Sequence, residues 1–106
     1  MPKYLLEVTY TLDGVKGVLA KGGAARKAAA SAAAKSVGGK VESFYFAFGE
    51  TDVYCVVDMP DNEAAAALAL TVSAGGGAKV KTVALLSTDE IDAATSKDVK
   101  YKPPGS

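Results

Sequence analysis

Apolar and polar residues alternate with a period of two from Lys3 to Thr11, placing Tyr4, Leu6, Val8 and Tyr10 on one side of a strand and Leu5, Glu7 and Thr9 on the other. Asp13-Gly14 then turns the chain into a long alanine-rich segment. Alanine loses no side-chain entropy in a helix, so this segment predicts one, and the paired glycines Gly38-Gly39 stop it. The period of two returns over Lys40 to Phe48, with Phe44, Phe46 and Phe48 facing one way and Val41, Tyr45 and Ala47 the other. Val53 to Asp58 reads as the hairpin partner of that strand, joined to it through Gly49-Glu50-Thr51-Asp52. At Pro60-Asp61 a second alanine-rich helix begins. Asp61 is placed to accept its free amides, Leu68 and Val72 share a face, and Gly75-Gly76-Gly77 ends it. Residues 79–86 give a fourth strand. Ser87 and Glu90 then have capping-box spacing, and Leu86 and Ile91 the spacing of a hydrophobic staple, so a short third helix follows. Beyond Lys97, polar residues and Tyr101-Lys102-Pro103-Pro104-Gly105 favour an extended tail, because proline lacks an amide donor and restricts its predecessor. The organisation expected is one domain over 1–97 and a tail over 98–106.

Strand, helix, strand, strand, helix, strand is the split βαβ order, which predicts an α+β, ferredoxin-like βαββαβ plait with two helices on one face of a four-stranded antiparallel sheet. The other face then needs water-compatible side chains or a partner. The two hairpin strands carry apolar or aromatic groups on both sides, so a partner is expected and self-association is predicted. A second sheet covering ~800 Å² per subunit, more than half of it apolar, contributes about 10 kcal/mol at ~25 cal/mol per Å² before association entropy.

Composition narrows the function classes. A chain of 106 residues supports one modest core. Twelve basic residues balance twelve acidic ones. With no local basic run interleaved with aromatics, nucleic acid is not an expected partner. Nor is a membrane: a charge follows too soon after Met1 for a signal-peptide core, and no stretch nears the ~18 unbroken apolar residues of a membrane helix. The single cysteine, Cys55, allows no internal disulfide or thiolate metal cluster and fits a cytoplasmic protein. The absence of histidine excludes a histidine-based triad, a histidine-ligated haem and an ordinary histidine-containing zinc or iron site. The glycine runs match neither a dinucleotide fingerprint nor a phosphate loop. No cofactor and no metal are expected.

Four residues are candidates for a site: Arg26, Tyr45, Tyr54 and Asp52. At about 100° per residue Arg26 falls on the helix face of Val15, Leu19, Gly22, Ala29 and Ala33, away from Lys16 and Lys27. A guanidinium there either binds a ligand carboxylate or phosphate or pairs internally with Asp52, Glu50 or a backbone carbonyl. Gly22-Gly23 beside it allows close approach, a kink, or a helix–strand contact. Asp52, with Glu50, can serve acid–base chemistry or simply accept turn amides. Tyr45 and Tyr54 lie on paired strands and, with Tyr4 or Tyr10, either line a cavity or fill core and interface. Cys55 reads as small core packing, with no histidine to activate it.

The Tyr4 to Tyr10 strand, Gly22-Gly23-Ala24-Ala25-Arg26, Phe44-Tyr45-Phe46-Ala47-Phe48-Gly49 followed by Asp52, and the Tyr101 to Gly105 ending together resemble the GYD domain proteins, related to the dimeric α/β-barrel group. The chain holds Gly49 and Asp52 of the family's signature but Thr51 where the tyrosine would stand. The resemblance implies a plait fold and self-association, and no established general activity. The function expected is an oligomer that binds a small apolar or aromatic molecule in a pocket next to the sheet. The alternatives are a cofactor-free oxygenase or isomerase of the dimeric α/β-barrel kind, and a purely structural or regulatory assembly module.

Overall fold

The computed structural model describes residues 1–105. Its elements run β1 (Lys3–Tyr10), α1 (Leu12–Lys21), α2 (Gly23–Ser36), β2 (Lys40–Phe46), β3 (Val53–Asp58), α3 (Asn62–Ala74), β4 (Ala78–Leu85) and α4 (Thr88–Thr95). The sheet is antiparallel throughout, in the order β2-β3-β1-β4. This is an α+β arrangement consistent with a ferredoxin-like plait.

Pairing of Tyr4 with Val57, Leu6 with Cys55 and Val8 with Val53 fixes which side chains meet the helices. Tyr4, Leu6, Val53, Cys55 and Val57 form one core cluster with Ala34 of α2, Ala65 and Leu68 of α3, and Met59, and Val8 packs against it. α2 lies over β2 and α3 over β4, while α1 packs on α2 and the end of β1. Two caps follow the sequence closely. Asp61 accepts from the Ala64 amide at 2.8 Å, and Ser87 and Glu90 close a reciprocal capping box at the start of α4.

Two local features depart from the periodicity. The first helix is two helices, because Gly22 adopts φ 84°, a left-handed value that glycine reaches without a Cβ penalty, and its amide caps the Val18 carbonyl at 2.7 Å. Gly23 is required for a different reason: a Cβ there would lie 3.0 Å from the Phe46 ring. The helix therefore breaks where it meets β2. The second departure is a bulge between Val41 and Ser43, which pairs Val41 with Val57 and Phe44 with Cys55. One extra residue reverses the side-chain parity, so Val41 joins Phe44 on the helix face instead of Tyr45 on the other.

The opposite face stays open. It carries Leu5, Val56, Val83 and Leu85 with Tyr45 and Tyr54, interspersed with Glu7, Thr9 and Ser43, and Lys40, Lys79 and Lys81 lie along its edges. Lys3 on this face bonds Asp58 at 2.6 Å and Glu42 at 2.7 Å. The ammonium of Lys3 holds the Asp58 carboxyl below its usual range. The phenylalanines Phe44 and Phe46 lie on the helix side, so the apolar part of the open face is aliphatic with two tyrosines, and the rest of that face is polar or charged.

α4 and the tail project from the body. Every residue from Leu86 to Gly105 is exposed, and α4 makes no substantial contact with any other element. The Cα radius of gyration is 16.9 Å and the longest extent 57 Å. A compact chain of this length has a radius near 13 Å. No helix among the described residues is long and apolar enough to cross a membrane.

Candidate functional site

Alanine at 29, 30 and 33 gives the sheet-facing side of α2 little volume, and the large residues opposite it on β1 and β3 do not fill the difference. The result is a chamber of about 150 Å³ bounded by those alanines, Val72 of α3, and Leu6, Val8, Phe44, Val53, Cys55 and Val80 of the sheet. Its walls are overwhelmingly apolar. An apolar space of roughly this size holds one benzene ring in other proteins.

The chamber leads outward. Tyr10, Arg26, Val72 and Ala78 also line a second, wider recess of about 440 Å³, whose remaining wall is Asp13, Gly14, Gly17, Thr71, Gly75 and Gly77. The mouth is polar and glycine-rich because two backbones approach there. Thr11 donates its amide to the Gly77 carbonyl at 3.0 Å and its hydroxyl to the Gly76 carbonyl at 2.7 Å, pinning the start of α1 to the α3–β4 turn. Tyr10 lies at the boundary, its ring 6.5 Å from that of Phe46, which stacks edge-on against Phe44 at 5.4 Å.

Arg26 stands where apolar chamber and polar mouth join. It is exposed and, among the described residues, pairs with no carboxylate. The internal pair with Asp52 or Glu50 is therefore not formed. Asp52 instead holds the backbone together. Its Oδ2 accepts the Tyr10 amide at 2.8 Å, its own amide donates to the Val8 carbonyl at 2.8 Å, and its carbonyl accepts the Ala47 amide at 2.9 Å. These bonds tie the β2–β3 turn to the end of β1, in the turn role open to aspartate. Asp52 also edges a neighbouring surface groove with Leu19, Phe46 and Phe48, outside the chamber.

Tyr45 and Tyr54 pair across β2 and β3 but point to the open face, where they are 70% and 43% exposed. The structure thus divides the four sequence candidates: Arg26 at the chamber, Asp52 in the turn, and the tyrosines on the far side of the sheet. Of the other tyrosines, Tyr10 lines the site and Tyr4 is buried with its hydroxyl donated to Asn62. Asp13, Gly14, Gly17, Thr71, Gly75 and Gly77 have no motif that marks them in the sequence.

Cys55 lines the chamber and is 2% exposed. Burial pushes its thiol up to about 11, so at neutral pH it is protonated and acts as apolar wall, not nucleophile. No group of three or more acidic or cysteine side chains able to hold a metal ion occurs among the described residues.

The chain belongs to the GYD domain family, whose model matches residues 4–95. The match runs from the second residue of β1 to the last residue of α4. No curated protein and no solved structure gives a significant match.

Proposed function

From this site, we propose that the protein binds a small amphipathic carboxylic acid, with a single aromatic ring or a short branched alkyl group in the chamber and its carboxylate at Arg26. One observation carries the reading: an unpaired guanidinium lines both an apolar chamber and the polar recess that opens from it. A planar guanidinium recognises a carboxylate through paired hydrogen bonds, and an apolar wall rewards burial of the ring. Phenylacetate is the simplest probe. Its ten heavy atoms correspond to binding in roughly the millimolar to high-micromolar range.

Arg26→Met tests the reading. Calorimetric titration should show about a tenfold loss of phenylacetate affinity, a modest figure because the guanidinium is exposed, and no change for the neutral phenylacetamide. The melting temperature should stay the same, since Arg26 has no internal partner to abandon. Equal effects on both compounds, or none on either, would remove Arg26 from the site.

We also propose that a second copy covers the open sheet face. The support is the patch of Leu5, Val56, Val83 and Leu85 lying beside exposed Tyr45 and Tyr54. Water-facing aliphatic groups on a sheet are relieved by association. Sedimentation at micromolar concentration should show dimer or larger species as the main component, and a chain that stays monomeric there would overturn the assignment.

A further inference from the structure

Arg26 supplies one charge to the recess outside the chamber, and Asp13 supplies another of opposite sign to the same wall. The two do not pair. Among the described residues Asp13 forms no ion pair with any cation, and Arg26 forms none with any carboxylate. No lysine lines the recess.

The wall has a second source of negative potential. The C-terminal end of α3 reaches it through Thr71 and Gly75, and α3 has no basic residue in its last turn. The end of a helix where carbonyls are free carries the negative pole of the macrodipole, which a cation stabilises. The recess therefore lacks a cation at Asp13 and the end of α3, while Arg26, at its junction with the chamber, lacks an anion.

Three demands meet in one connected space: an apolar group for the chamber, an anion for Arg26 and a cation for Asp13. A plain carboxylic acid leaves Asp13 without a partner, and a plain amine leaves Arg26 without one. An α-amino acid carries all three groups on one carbon atom. The recess, about 440 Å³, has room for the ammonium and for water around it.

We propose that the ligand is a free α-amino acid with an aromatic or branched apolar side chain, its ammonium group held at Asp13 and the end of α3. The inference rests on the reading that Arg26 and the chamber bind a carboxylic acid, and it adds the substituent that this acid carries. Asp13 also lies in the first turn of α1, where an acid suits the positive pole of that helix. That role needs no ligand, so the test has to separate the two.

Calorimetric titration of the full chain with L-phenylalanine and with phenylpropanoate, which lacks only the ammonium group, makes the separation. L-phenylalanine should bind about fivefold more tightly, the scale of an ion pair between exposed groups. Without a partner for the ammonium the order reverses, because a charged group gives up hydration on entering the recess and gains nothing for it. Asp13→Asn should abolish the preference while leaving phenylpropanoate no weaker, and Asp13→Glu should keep part of it. L-phenylalaninamide, which has the ammonium but no carboxylate, should lose affinity in Asp13→Asn and keep it in Arg26→Met. The ammonium site is overturned if phenylpropanoate binds the unsubstituted protein as tightly as L-phenylalanine does. It is also overturned if Asp13→Asn weakens both compounds equally, the mark of an aspartate that acts only on α1. Either result leaves the carboxylate reading standing provided that phenylacetate binds and responds to Arg26→Met. Failure of phenylacetate, phenylpropanoate and L-phenylalanine alike to bind removes that reading and this one together.

Discussion

Gly14→Ala should lower the unfolding free energy by about 3 kcal/mol and the melting temperature by well over ~10 °C. A Cβ on Gly14 would fall inside the van der Waals envelope of the Gly77 carbonyl oxygen, with the Gly77 carbonyl carbon and the Tyr10 ring each only 3.0 Å away. The oxygen belongs to backbone that already accepts the Thr11 amide, so relief requires moving the α3–β4 turn or the start of α1. Either movement also reshapes the mouth of the chamber, which both segments line. Gly17→Ala is the control on the same helix. Nothing lies within 4 Å of its added methyl, and glycine-to-alanine in an open helical position stabilises by up to ~1 kcal/mol. Urea denaturation of the two variants checks the contrast. Equal stabilities would mean that the α1–turn junction is slack and that Gly14 does not set the mouth.

How much of this architecture is legible in the sequence depends on how local its cause is. β3 is legible to the residue, because Val53, Cys55 and Val57 alternate with Tyr54, Val56 and Asp58 without interruption. The caps at Asp61 and Ser87 are equally legible, since each is decided within four residues. The break at Gly22 is not, because Gly-Gly in an alanine-rich run is compatible with a tolerated flaw. The left-handed φ of Gly22 makes the break, and the neighbouring Gly23 is required by the Phe46 ring, a contact between residues 23 positions apart. The bulge at Glu42 is likewise invisible to a period-two count, which cannot tell that one residue is skipped.

The division of the candidate site has a simpler cause. Tyr45 alternates with Phe44 and Phe46, so whichever face took the phenylalanines lost the tyrosine. Arg26 is aligned with Ala29 and Ala33 as its spacing predicts, but Val15 and Leu19 leave that face once the helix breaks. The chamber itself depends on volumes facing one another across the fold, and those become countable only when register and helix placement are both known. The same reasoning explains why α4 is predictable as a helix while its isolation is not: a capping box is local, and a packing partner is not.

Ala33→Leu separates a binding chamber from a packing defect. Ala33 lines the chamber from α2 and packs beside the core cluster. Leucine brings three more carbon atoms into a space of about 150 Å³, enough to occupy the volume assigned to the ligand's ring. Each buried methylene is worth about 0.8 kcal/mol of transfer free energy, and imperfect fit takes back part of it, so a net gain of about 1 kcal/mol in stability is expected. Phenylacetate affinity should fall by about a hundredfold, the scale of losing burial of a whole ring at ~1.5–3 kcal/mol together with a clash at the ring's position. Urea denaturation and calorimetric titration of the same protein give both values. A gain in stability with loss of binding is the signature of volume kept open at a cost to the fold, since natural cores that are merely loose are improved by filling without consequence elsewhere. Unchanged phenylacetate binding in a more stable Ala33→Leu protein would show that the alanine stripe is only an underfilled core, and would move the ligand out of the space between α2 and the sheet.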